Sequence, residues 1–141
     1  QAVKLHENII SKKKLKEHHY YQALEELAED YYAAGLYDKS EEIFKKLVDI
    51  KDHKTSSLSK LMQIYEYTSE WDKALSTIKK LNAIDDTNEY KKNIPHYYCE
   101  ISEQYISENN LDQADLYIKT KHDNQYKALK TTDSVFFTRF V

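Results

Sequence analysis

Three phrases in this chain share one pattern. "YDKSEEIF" begins at Tyr37, "WDKALSTI" at Trp71 and "LDQADLYI" at Leu111. Each runs from a large apolar or aromatic residue through Asp and then Lys or Gln to a small residue, and each ends on a large apolar one. The small residues Ser40 and Ala74 lie 34 apart, and Ala74 and Ala114 lie 40 apart. A phrase recurring at such a period is the mark of a repeat architecture, and a repeat governs the fold before any local propensity does.

Counting each small residue as position 20 aligns the surrounding sequence. Position 4 reads Leu24, Leu58 and Tyr98, and position 7 reads Leu27, Leu61 and Ile101. Position 8 reads Ala28, Met62 and Ser102, and position 11 reads Tyr31, Tyr65 and Tyr105. Position 24 reads Phe44, Ile78 and Ile118, and position 27 reads Leu47, Leu81 and a weaker Lys121. Positions 4, 7, 8 and 11 form one stripe of a first helix, and positions 20, 24 and 27 one stripe of a second. A small residue at position 20 lets the two helices approach closely. Gly35 falls at position 15, where a left-handed backbone ends the first helix, and Ser69 and Asn109 take the same place in the other copies. Asp38, Asp72 and Asp112 stand at the start of the second helix, where a carboxylate caps free N–H groups and favours the positive dipole end. Pro95 falls at the start of a first helix, where proline is best tolerated. One glycine and one proline leave almost no punctuation for strand hairpins. The expected fold is all-α: a tetratricopeptide-repeat solenoid, a right-handed superhelix of antiparallel helix pairs.

The 141 residues read as one domain fragment of this kind, residues 1–141. It comprises a half repeat over 1–11, repeats over 21–54, 55–88 and 95–126, and a truncated repeat over 129–141. Ala2 reads as position 20 of the half repeat, with Leu5, His6 and Ile9 following at helical spacing. Residues 12–20 read as a longer basic connection or helix start, and the extra residues around "DDTNEYKKN" fall between repeats. Val135, Phe136 and Phe140 read as a first helix cut short. The chain is thus expected to run from mid-repeat to mid-repeat of a longer solenoid, in which each unit needs neighbours to bury its faces.

The pieces "DYYAAGLYDKSEEIFKKLVD", "LMQIYEYTSEWDKAL" and "IPHYYCEISEQYISENNLDQADLYIK", in this order and spacing, resemble the lipopolysaccharide assembly protein B family of Gram-negative bacteria. The resemblance runs from Ala2 to the final apolar stretch. It implies a parent protein with an N-terminal membrane anchor, a cytoplasmic repeat domain and a C-terminal rubredoxin-like metal module. This sequence shows neither anchor nor metal module, and the resemblance implies a place in the first half of the repeat domain. The resemblance implies a non-catalytic adaptor or scaffold on the cytoplasmic side of the bacterial inner membrane, with no cofactor of its own. The implied partners are a membrane-bound AAA+ metalloprotease and the deacetylase that commits cells to lipid A synthesis, whose proteolysis the adaptor promotes. The alternative is a generic repeat scaffold of another multiprotein complex.

Composition narrows the remaining classes. A net charge of -3, and acidic residues interleaved with the 13 tyrosines, argue against a nucleic-acid surface. Cys99 is the only cysteine, which excludes an intramolecular disulfide and a cysteine zinc cluster. No apolar run approaches the ~20 residues that span a bilayer. No nucleophile motif or glycine-rich phosphate loop is present. The basic run "SKKKLK" is a solvated helix end by default, with an anionic membrane surface as the weaker alternative.

The expected binding surface is the concave face, lined by positions 2, 5, 9 and 12 of the first helices. In the first copy these are Gln22, Glu25, Glu29 and Tyr32. In the second they include Ser59, Gln63 and Glu66, and in the third His96, Cys99 and Glu103. The face is polar to acidic, with Tyr32 as an aromatic anchor, and suits a partner segment carrying basic or amide groups. The plainer alternative is a solvated groove whose partner binds elsewhere. Lys60 is the only basic residue at the inner positions, which disfavours a clamp for a partner's C-terminal carboxylate. His96 and Cys99 share a helix face and make half a zinc site; no second close pair completes it. Glu25 and Glu29 also share a face, but a catalytic carboxylate pair needs an enclosing pocket, so a solvated face is the better reading.

Overall fold

The computed structural model describes residues 1–11, 17–84 and 90–123. The basic stretch 12–16, most of the extra residues before Pro95, and the truncated repeat with Val135, Phe136 and Phe140 lie outside the described residues. All regular structure among the described residues is helical. One compact unit, Gln1–Asp86, holds α1 (Ala2–Ser11), α2 (Glu17–Ala33), α3 (Tyr37–Leu47), α4 (Lys54–Tyr67) and α5 (Trp71–Ile84). A second unit, which begins at Thr87, holds α6 (Ile94–Ser107) and α7 (residues 111–123). In the first unit each helix packs on the next in sequence, α1 on α2 through α4 on α5. The connections from α2 to α3 and from α4 to α5 span three residues each, which forces antiparallel hairpins of the tetratricopeptide-repeat kind.

The three turns are closed in the same way. Gly35, Ser69 and Asn109 are the residues with positive φ among those described, at 74°, 59° and 56°. The next residue's N–H reaches back to the position-11 carbonyl: Leu36 to Tyr31, Glu70 to Tyr65 and Asn110 to Tyr105, each at 2.8 Å. The left-handed residue itself donates to the carbonyl three back: Gly35 to Tyr32 at 3.0 Å, Ser69 to Glu66 at 3.3 Å and Asn109 to Ile106 at 3.0 Å. This pair of bonds satisfies carbonyls that a helix end leaves free, and it needs a left-handed residue between them. A Cβ built on Gly35 meets nothing within 4 Å, so the φ of 74° alone favours glycine there. The small residues then close the first turn of the second helices, with Ser40, Ala74 and Ala114 N–H groups donating to Leu36, Glu70 and Asn110.

The capping expectation needs a correction. Leu36 is the N-cap of α3 and makes no side-chain cap bond, while Asp38 lies inside the first turn. Asp38 therefore acts through the helix dipole and caps nothing. In the third copy the side-chain acceptor is Asn110, whose Oδ1 takes the Gln113 N–H at 3.4 Å. Pro95 stands in the first turn of α6, as expected. Short 3-10 turns, Lys51–His53 and Lys91–Asn93, lead into α4 and α6. They are 40 residues apart, the separation of Ala74 and Ala114, so the repeat resumes in register after the extra residues.

The core follows the repeat positions. Ala28, Ser40, Phe44, Leu47, Ala74, Ile78 and Leu81 are wholly excluded from solvent. Each large apolar side chain among them is worth roughly 1.5–3 kcal/mol of burial. Ser40 keeps its hydroxyl satisfied by donating to the Ala28 carbonyl at 2.8 Å, which ties α3 to α2. In the second unit Tyr97, Ile101 and Ala114 are buried, and Tyr98 and Tyr105 pack on Tyr117 with ring centroids 6.0 and 5.6 Å apart.

A polar lock joins successive hairpins of the first unit. The Tyr65 hydroxyl donates to Glu41 at 2.9 Å, and the Glu41 carboxylate also meets Lys45 at 2.6 Å and Lys73 at 3.6 Å. Burial pushes the Glu41 carboxyl up, but the hydrogen bonds from Lys45 and Tyr65 and the two lysine charges outweigh it and hold it below the usual 4.5. Burial, reinforced by the bond to Glu41, holds the Tyr65 phenol well above its usual range. The Tyr31 hydroxyl donates to Glu7 at 2.6 Å in the same way. Glu7 and Glu41 lie 34 apart, as do Tyr31 and Tyr65. His6, not Ala2, thus stands at position 20 of the half repeat. A histidine is tolerated there because its ring nitrogens meet Asp30 at 2.6 Å and Glu26 at 3.1 Å on α2, so it is not buried without partners.

Candidate partner-binding face

The two first helices of the first unit, α2 and α4, are stitched together by polar contacts. Lys60 Nζ of α4 lies 3.2 Å from Glu29 of α2 and 6.0 Å from the centroid of the Tyr32 ring. Glu25 accepts from Ser56 at 2.6 Å and meets His53 Nδ1 at 2.7 Å. Along this face Gln22 is exposed, Glu29 is exposed and Tyr32 is half-buried; opposite them on α4, Ser59 and Glu66 are half-buried and Gln63 is exposed. Glu25 is the residue most committed to the fold, since both its oxygens serve the start of α4. The face is acidic. Its positions carry Glu25, Glu29 and Glu66 against the single Lys60, while Glu26 and Asp30 of α2 turn to His6 of α1.

His96, Cys99 and Glu103 all stand on α6, in the second unit. His96 is exposed and 3.7 Å from Glu100, Cys99 Sγ lies 2.8 Å from Lys121 Nζ, and Glu103 is exposed. Among the described residues no group of three His, Cys, Asp or Glu side chains is placed to hold a metal ion. No described helix is long and apolar enough to cross a membrane.

The structure adds two residues that the concave-face positions leave out. The Tyr37 ring sits between Tyr32, edge-on at 5.5 Å, and Tyr67, tilted at 4.6 Å. The hydrogen bond between the Tyr37 and Tyr67 hydroxyls raises the Tyr37 phenol above its usual range. Tyr67 is 67% exposed and Leu36 44% exposed. Beside them lies a shallow depression of about 290 Å³ lined by Gly35, Leu36, Tyr37, Asp38, Lys39 and Thr68. Tyr37 starts a second helix and Tyr67 ends a first one. The turn geometry brings such residues to the rim of the face, which is the signal that identifies them. A second depression, of about 440 Å³, is rimmed by Lys45, Lys73 and Lys80, but Glu41 and Glu70 already pair with two of these lysines.

No family profile matches the chain. It is 34% identical over 114 residues to lipopolysaccharide assembly protein B of Escherichia coli K12, which covers 81% of this chain and 29% of that protein. The protein of the same name from Haemophilus influenzae is 31% identical over 91 residues, 64% of this chain and 23% of that protein. An uncharacterised protein of Rickettsia prowazekii is 31% identical over 103 residues, 73% of this chain and 30% of that one. The chain therefore spans less than a third of the length of the curated relatives it matches. With helical hairpins and an identity of 34% across 81% of its residues, this chain is a homologue of the lipopolysaccharide assembly protein B family.

Proposed function

We propose that the chain is a non-catalytic protein-interaction scaffold serving lipopolysaccharide assembly on the cytoplasmic side of a bacterial inner membrane. The observation that carries this reading is the 34% identity to proteins of that name over 81% of the chain. The polar, acidic face of α2 and α4 supports it, because stacked helical hairpins offer extended surfaces suited to partner segments. In the finer reading the scaffold presents the deacetylase that commits cells to lipid A synthesis to a membrane-bound AAA+ metalloprotease. The side chains assigned to partner contact are Gln22, Glu29, Tyr32, Gln63 and Glu66 in the first unit, and His96, Cys99 and Glu103 in the second.

The test is a crosslinked pull-down from Gram-negative inner membranes with the full chain as bait, beside a Glu29→Lys/Gln63→Lys variant. Recovery of both protease and deacetylase by the native chain, and their loss with the variant, supports the reading. Recovery of neither by a chain of native helicity overturns it.

A further inference from the structure

The aromatic rim of the α2–α4 face has a chemistry of its own. Tyr32, Tyr37 and Tyr67 form a continuous shelf with centroid spacings of 5.5 and 4.6 Å, and its outer ring, Tyr67, is 67% exposed. The Tyr37 and Tyr67 rings are tilted by 42° to each other, so they present one continuous aromatic surface. Beside the shelf, Leu36 is 44% exposed at the edge of the 290 Å³ depression. The inner end of the shelf already holds a cation. Lys60 Nζ from α4 lies 6.0 Å from the Tyr32 ring centroid and 3.2 Å from Glu29, although both of those residues belong to α2. An ammonium at a ring face and against a carboxylate is the arrangement that the ring quadrupole and the acid together favour.

We propose that this shelf docks an arginine side chain from an extended partner segment, with an apolar neighbour of that arginine entering the depression beside Leu36, and that Lys60 is the internal cation it displaces. The proposal rests on the reading of this face as a partner surface. Arginine fits better than lysine because its planar guanidinium stacks on an aromatic ring while its N–H fork grips a carboxylate such as Glu29. An anionic group fits worse, since the tyrosine faces present negative charge and the face positions carry Glu25, Glu29 and Glu66 against the single Lys60. The partner arginine competes with Lys60 for Glu29, so the shelf is partly self-occupied when free.

The test titrates the 15N-labelled full chain with three capped tripeptides: Leu-Arg-Leu, its neutral isostere Leu-citrulline-Leu, and Leu-Glu-Leu. The arginine peptide is expected to shift the amides of residues 32, 37, 60 and 67 saturably and to bind at least about threefold tighter than the citrulline peptide, in line with an exposed cation–π contact plus a carboxylate. Tyr67→Ala, a change at an exposed side chain, is expected to weaken it about two- to fivefold. Lys60→Met is expected to strengthen it by a similar factor, with helicity unchanged by circular dichroism. Equal binding of arginine and citrulline, preference for the glutamate peptide, shifts confined to other residues, or weakening by Lys60→Met would each overturn the proposal. These outcomes are separable from the scaffold reading. If the peptides fail while the native chain still captures the protease and deacetylase, the shelf is wrong and the scaffold stands; if the arginine peptide binds as expected and neither protein is captured, the reverse holds.

Discussion

Replacing Ser69 by glycine is expected to stabilise the protein. Ser69 holds φ at 59° and donates to the carbonyl three back as Gly35 does, in a turn closed by the same second bond from the next residue. A left-handed backbone costs an ordinary L-residue roughly 1–2 kcal/mol. Glycine escapes that cost but loses more freedom on folding, which returns about 0.5–1 kcal/mol. The net gain for Ser69→Gly is about 0.5–1 kcal/mol, a rise in Tm of about 2 °C for a chain of this size. Gly35→Ala runs the same arithmetic backwards. Because an added Cβ there meets nothing within 4 Å, no clash enlarges the loss, which stays near 0.5–1 kcal/mol. Asn109→Gly gains least, since asparagine visits this region more readily than serine. Urea unfolding followed by far-UV circular dichroism measures all three, with an unchanged slope showing that the midpoint reports stability. A Ser69→Gly variant that is less stable than native, or a neutral Gly35→Ala, would refute the claim that backbone strain at these turns sets their residue preference.

Tyr65→Phe, which removes one donor to Glu41, is expected to cost about 1.5–2 kcal/mol in the same assay, and a double-mutant cycle with Glu41→Gln should show coupling. Glu41 has a folded pKa below 4.5, so its contribution is fully present above that value and fades as pH falls through the folded one. Stability measured from pH 7 down to 3 should therefore drop less steeply in Glu41→Gln than in the native chain. Ala74→Leu, at a site with no solvent exposure between α4 and α5, is expected to cost about 1–3 kcal/mol by overpacking, and a neutral result in thermal unfolding would contradict close helix approach there.

The elements of this fold were legible because their signals are local and recur. The left-handed residues at Gly35, Ser69 and Asn109 and the buried stripes through Leu27, Leu61 and Ile101 follow from position in the repeat alone. Two positions differ from the sequence expectation for a common reason. Residue type alone favours Ala2 over His6 as a small residue and Asp38 over Leu36 as a cap, whereas the partners decide the role. His6 has Asp30 and Glu26 on a different helix, and Leu36 is fixed by its backbone bond to Tyr31. The face was legible as a set of positions but not as a set of bonds. Glu25 has the same periodicity whether it faces solvent or, as here, binds His53 and Ser56, 28 and 31 residues away. The shelf is not legible in the repeat pattern, because Tyr37 and Tyr67 lie outside the inner helix positions and meet only when two hairpins stack.

Tyr65 connects two levels of this architecture through one residue. Its carbonyl closes the turn of its own hairpin by accepting the Glu70 N–H, and its hydroxyl reaches back to Glu41 in the hairpin before. Tyr31 does the same with Leu36 and Glu7. Forming a turn therefore positions the very side chain that engages the preceding element, so nearest-neighbour coupling in the first unit is built into the tyrosine of the last turn of α2 and of α4. In a one-dimensional chain of units this makes order propagate from one hairpin to the one before it, and it makes the first unit cooperative beyond what its apolar contacts alone would give.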